Sequence, residues 1–186
     1  MHSEQIHPTS DKSAGFTSLE LLITMAIAAV LLIIGVPTFQ DFGSRQRMSA
    51  SVRTLYDHLA LARNQAIRFN TEIVLCPGNL DSGCNGTSDW SSGWIVFSDL
   101  NGDRQHQPLE SVHRVEDALE QISVHSSSGR SSLRFYPNGS APGSNGSITF
   151  CDRRGPAHAR KLVISNTGRI RRDVATDINE DLCPNS

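Results

Sequence analysis

Residues 21–39 contain no Asp, Glu, Lys or Arg, and about 20 apolar residues rising ~1.5 Å each cross the ~30 Å hydrocarbon core of a bilayer. The pattern predicts a membrane-length helix near the start of the chain. Gly35 and Pro37 fall inside it. Proline removes a helix donor and glycine adds backbone freedom, so a kink or local melting is expected there. Past the membrane segment, Val52, Leu55, Leu59, Ala62 and Ala66 recur at steps of three and four, which puts an apolar stripe on one helix face. The same helix therefore continues into a head and is expected to end near Asn70. Arg53, Arg63 and Arg68 lie off the stripe and read as a solvated face.

After the helix the period changes. Short β-rich runs at 72–75, 94–98, 121–125, 132–136, 147–151, 161–165 and 169–172 are separated by Gly, Ser and Asn. They predict antiparallel sheet with one face on the helix stripe. The connections at 77–92, 99–119 and 137–146 are long, and Ser126-Ser127-Ser128-Gly129 reads as a turn. The fold class is α+β: a long N-terminal α-helix packed against an antiparallel sheet in one globular head, with no internal repeat.

One charge disturbs the apolar pattern. Glu20 sits at the entrance of the span, where an unpaired carboxylate costs less than the roughly 2.5–3.5 kcal/mol of the helix centre but still needs a cation. A secretory signal peptide fits poorly, because it has a basic start, a shorter apolar run and a small-residue cleavage site after that run; here Gly15 comes before it. The plain alternative is a one-pass anchor with Glu20 among the headgroups.

Charge and cysteines bound the head. A net charge of −2 and a pI near 6.4 exclude a chain that is basic throughout, so any nucleic-acid contact must be local. Cys76, Cys84, Cys151 and Cys183 all lie beyond the span, which suits an oxidising compartment. Three pairings are possible. The favoured one joins Cys76 to Cys84 across a short loop and Cys151 to Cys183, tying the C-terminal tail to a strand. No metal is expected, since the cysteines and histidines lack paired ligand spacing, and no cofactor is expected.

Gly15-Phe16-Thr17-Ser18-Leu19-Glu20, with Pro37 at the twenty-second place after the glycine, resembles the N-terminus of type IV pilins and pseudopilins. The resemblance implies that 1–15 is a leader removed by a prepilin peptidase, with N-methylation of the new terminus Phe16. Residues 16–43 would be the transmembrane and polymerisation half of the helix, and 44–186 its amphipathic half plus the β-rich head. It also implies that the Phe16 amine, of this subunit or its neighbour, is the cation for Glu20. Such an ion pair would set register between packed helices. The implied partners are other pilins and the peptidase. The implied location is the inner membrane with the head in the periplasm, then the pilus or cell surface. The leader departs from the family by carrying Glu4, Asp11 and only Lys12, so the positive-inside rule orients it weakly.

Ser92-Gly93-Trp94-Ile95-Val96-Phe97 with Asp99 and Asn101-Gly102-Asp103, then Ile148-Thr149-Phe150-Cys151, then Leu162-Val163-Ile164-Ser165 and Thr167-Gly168-Arg169-Ile170-Arg171, are similar to the head of the GspH/FimT family of minor pilins and pseudopilins. In FimT-like members a Gly-Arg-x-Arg motif is associated with DNA capture, which Gly168-Arg169-Ile170-Arg171 matches and Arg172 extends. Independently of the resemblance, 151–172 contains Arg153, Arg154, Arg160, Lys161, Arg169, Arg171 and Arg172 against Asp152 alone. Guanidinium forks match phosphate oxygens, and strand alternation would put Arg169 and Arg171 on one face and Arg172 on the other. Gly168 would let the chain turn and the backbone approach a phosphate. No Phe, Trp or Tyr follows Cys151, so stacking is not offered and sequence-indifferent binding of double-stranded DNA is expected. Against this stand the habit of charging exposed strand edges and the acids Asp173, Asp177, Glu180 and Asp181 that follow.

Other chemistry fails. Asp99-x-Asn101-x-Asp103 with Glu110 in twelfth place resembles a calcium loop, but Arg104 stands where the turn needs glycine, so a polar hairpin turn is expected. His58, His106, His113, His125 and His158 read as surface or packing residues, and Trp90 and Trp94 as core or interface anchors. No catalytic constellation is present, so the chain does not read as an enzyme. Two functions remain: a DNA-binding minor pilin for natural transformation, or a structural subunit that primes pilus assembly or serves a type II secretion pseudopilus. A membrane-tethered β-domain that binds a protein partner without polymerising is the third.

Overall fold

A computed structural model describes residues 16–127, 129–175, 178 and 183. The leader expected over 1–15, including Gly15, lies outside them, as do Asp177, Glu180 and Asp181. The chain divides into two compact units, the second being Asp41–Ser186.

Helix α1 spans Ser18–Phe69 and is long and apolar enough to cross a membrane by length and composition. Thr17 opens it: its Oγ1 accepts from the Glu20 amide at 3.2 Å, an N-cap that satisfies one orphan donor, with an acid in the first turn facing the positive helix end. The helix runs unbroken through Gly35 and Pro37, so the expected local melting is not found. Leu22, Leu31 and Leu32 are exposed.

In the Asp41–Ser186 unit the chain continues as β1 Glu72–Asn79, β2 Gly83–Cys84, β3 Trp94–Asp99, β4 Val112–Glu116, β5 Ile122–Ser126, β6 Leu133–Phe135, β7 Gly146–Asp152, a short 3₁₀ turn Pro156–His158, β8 Arg160–Ile164 and β9 Ile170–Val174. All pairings are antiparallel. They form two sheets where the periodicity suggested one: β2-β1-β3-β4 with β6 also on β1, and β5-β7-β8-β9.

The helix stripe joins the sheets. Met48, Val52, Leu55, Leu59, Ala62 and Ala66 are buried in one cluster with Ile73, Leu75, Trp94 and Val96 of the first sheet and Val124, Phe150, Leu162 and Ile164 of the second. Val74, Cys76, Ile95 and Phe97 form another cluster on the far side of the first sheet. Strands β1 and β3 are therefore buried on both faces, which explains their continuous apolar runs. The disulfides are Cys76–Cys84 and Cys151–Cys183, with Cα separations of 5.5 and 5.4 Å, and Cys151 and Cys183 share a small cluster with Ala159 and Ala175. The three buried clusters and both bridges lie within Asp41–Ser186, so this unit carries its own core.

Trp94 donates from Nε1 to His58 Nδ1 at 3.0 Å, which requires an unprotonated Nδ1. Burial, then Arg114, holds the His58 pKa below its ordinary value against the pull of Asp57, and burial and Arg114 do the same to His113. A group with a depressed native pKa favours folding above its unfolded pKa and loses that contribution as it protonates. Unfolding of the Asp41–Ser186 unit followed at several pH values is therefore expected to show stability falling as pH drops through about 6.5, with His58→Gln and His113→Gln each flattening the fall.

Candidate nucleic-acid interface

The Gly-Arg-x-Arg segment forms the tip and edge strand of the β8–β9 hairpin. Gly168 N donates to Ser165 O at 2.9 Å, Ser165 N to Arg169 O at 3.0 Å, and Arg169 N to Ser165 Oγ at 3.2 Å. Gly168 is buried with φ +75°, and a Cβ there would lie 2.0 Å from Gly139 O. That carbonyl accepts from Arg63 Nε of α1 at 2.8 Å. The glycine thus provides the turn, as expected, but its close neighbour is the 137–141 loop, held by the helix, rather than open space for a phosphate. Arg63, read as part of a solvated face, ties the helix to the 137–141 loop against which the hairpin turn packs.

Register sorts the cations. Leu162 faces Arg172 and Ile164 faces Ile170, and cross-strand partners point to the same side. Leu162 and Ile164 are buried in the helix-facing core, so Arg172 points toward α1, as does Arg160, two residues before Leu162. Lys161 and Arg171 alternate to the outer face, beside Arg169 at the turn. Arg171 is 60% exposed, and its Nη2 lies 3.8 Å from Asp173. Lys161 and Arg171 line an open groove of about 570 Å³ with Ser127, Asn145, Ser147 and Ser165. Hydroxyl and amide donors beside two cations suit phosphate oxygens.

The other two arginines are engaged elsewhere. Arg154 grips Asp152 with Nη2 to Oδ2 at 2.6 Å and Nε within 3.1 Å of both oxygens, and the pair is nearly buried. Arg153 donates from Nε to Ser44 Oγ at 3.1 Å, with Asp41 3.9 Å away. The run of basic residues in sequence is thus three sets in space: Arg169, Arg171 and Lys161 outside, Arg160 and Arg172 toward the helix, and Arg153 and Arg154 at the β7–β8 connection.

Sequence reasoning missed Tyr56. It projects from α1 beneath Arg172, whose Cζ lies 4.6 Å from the ring centroid. The available signal was its position four residues after Val52, on the flank of the apolar stripe.

The calcium-like segment is the β3–β4 hairpin loop. Asp99 accepts from the Gly102 and Arg104 amides at 2.8 and 3.1 Å, and Glu110 from those of Leu100 and Gln107 at 2.8 and 3.0 Å. Both carboxylates are buried, so each oxygen holds the loop backbone. Trp90 and Trp94 are buried in the core.

The GspH family, described as Type II transport protein GspH, matches residues 51–168. The chain belongs to the GspH family. This GspH-family chain is 29% identical over 163 residues to pilin-like protein PilA1 of Thermus thermophilus, covering 84% of the chain and 96% of that protein. Its fold matches the type IV minor pilin FimU of Pseudomonas aeruginosa with a TM-score of 0.57 at 22% identity, over 73% of this chain and 95% of that one. It also matches the minor pseudopilin EpsH of the Vibrio cholerae type 2 secretion system, with a TM-score of 0.50 at 9% identity over 70% and 99%. These likenesses show the fold, the helix-on-sheet architecture expected from the sequence.

Proposed function

We propose that this GspH-family protein is a minor pilin of a type IV pilus that binds double-stranded DNA without sequence preference and serves its uptake in natural transformation. In this reading the chain is cut after Gly15 by a prepilin peptidase, methylated at Phe16 and held in the inner membrane with its head in the periplasm. It joins the fibre through α1, with Glu20 paired to a Phe16 amine, and acts as a structural rather than a catalytic subunit.

The observation that carries the DNA contact is the outer face of the β8–β9 hairpin, where Lys161 and Arg171 line a polar groove and Arg169 is exposed at the neighbouring turn. A rigid hairpin presenting three cations can follow a phosphate backbone, and the shape of the contact leaves bases unread. The second reading, a structural pilin or type II secretion pseudopilin without DNA, is favoured by Asp173, which lies beside Arg171 and makes the edge look like one charged against aggregation.

Titration of the full-length protein in neutral detergent with duplex DNA at several salt concentrations separates them. The DNA reading predicts a logarithmic affinity that falls linearly with logarithmic salt and is equal for unrelated sequences, with Arg169→Ala lowering the slope by ~0.9. Absence of binding at low salt contradicts it.

A further inference from the structure

Arg160 and Arg172 are turned away from the outer groove, into a cleft of about 410 Å³ between α1 and β9 that is also lined by Met48, Ser49, Val52 and Val174, with Lys161 and Asp173 at its charged margin. Met48 and Val52 form a buried apolar floor. Among the described residues, neither guanidinium has a carboxylate within 4.0 Å. Arg160 Nη1 donates to the carbonyls of His158 and Ala159, and Arg172, still exposed, lies over the Tyr56 ring. One helical turn before Ser49, exposed Arg45 adds a further positive charge on the same helix stripe.

A guanidinium stacked on an aromatic ring is held in one plane, and its opposite face is a surface on which a nucleobase stacks. The tyrosine restrains the Arg172 guanidinium in advance, so less freedom is lost when a base is added. Inside a duplex both faces of each base are covered by neighbours. An unpaired base at an end has a face to offer.

We infer that the Tyr56–Arg172 stack is a platform for an unpaired base at a frayed or overhanging DNA end, with Arg160 near its phosphate and Arg169 and Arg171 on the adjacent duplex. This rests on the DNA reading above and adds that ends are preferred to internal duplex. The expectation that no stacking is offered came from the missing aromatics after Cys151; the fold supplies one from residue 56. Tyr56 is a positioning residue, acting through Arg172.

Full-length protein in neutral detergent is titrated with a blunt duplex, the same duplex carrying a single-stranded thymidine overhang, and that overhang with its bases removed and its phosphates kept. The overhang is expected to bind roughly tenfold tighter than its abasic copy. Tyr56→Leu and Arg172→Lys are each expected to abolish that gain, and Tyr56→Phe, which keeps the ring, to retain it. Equal affinity for the intact and abasic overhangs, or a gain that survives Tyr56→Leu, overturns the inference while blunt-duplex binding leaves the broader reading standing. Failure to bind all three DNAs overturns both.

Discussion

Trp94→Ala is expected to cost the Asp41–Ser186 unit about 3–5 kcal/mol, a large share of the roughly 5–15 kcal/mol by which domains are stable. Trp94 is fully buried at the start of β3, where it belongs to the cluster shared by α1 and both sheets. Its ring lies 6.4 Å from that of Trp90, and its Nε1 is the donor to His58. Truncation leaves a cavity at that junction and a half-buried imidazole without its partner. Denaturant unfolding followed by circular dichroism measures the loss. Trp94→Phe should cost less, because most of the ring volume stays, yet should also weaken the acid sensitivity set by His58, since no donor then requires an unprotonated Nδ1.

Glu20→Ala is expected to lower incorporation into fibres by at least about a hundredfold, because removing one partner of an ion pair in low dielectric typically costs 3–5 kcal/mol. The helix itself should survive: the Thr17 cap binds the Glu20 backbone amide, so alanine forfeits only a dipole contribution of about 0.3–1 kcal/mol. Glu20→Gln separates charge from shape and is expected to fail as Ala does. The comparison is the amount of protein in sheared fibres against that left in membranes. Unchanged incorporation would make the apolar segment a plain anchor with its carboxylate among headgroups.

The helix was the most legible part of the chain because its signal is local. The stripe from Val52 to Ala66 is the buried face, and the end expected near Asn70 falls at Phe69. Central strands were legible for a similar reason: β1 and β3 are buried on both sides and so read as apolar runs. Strand β4 escaped notice inside an expected loop, since Val112-His113-Arg114-Val115-Glu116 is a partly exposed edge with charge on it, and the two residues of β2 are too few to carry a pattern. Division into two sheets rests on pairings such as β1 with β6, distant in sequence and invisible to periodicity. The site was legible as residue types and not as a surface. Alternation correctly separated Arg171 from Arg172, but nothing in the spacing shows that Arg154 is claimed by Asp152, that Gly168 yields to the Gly139 carbonyl, or that Tyr56 lies beneath Arg172.

The most direct test replaces Arg169 and Arg171 together with alanine and repeats the duplex titration at two salt concentrations. Both side chains are exposed and outside the core, so folding should be retained and thermal unfolding unchanged. The account predicts weaker binding at low salt for every sequence and a salt slope reduced by about 1.8, the sum for two lost phosphate contacts. Wild-type affinity and slope in the folded double variant would contradict it.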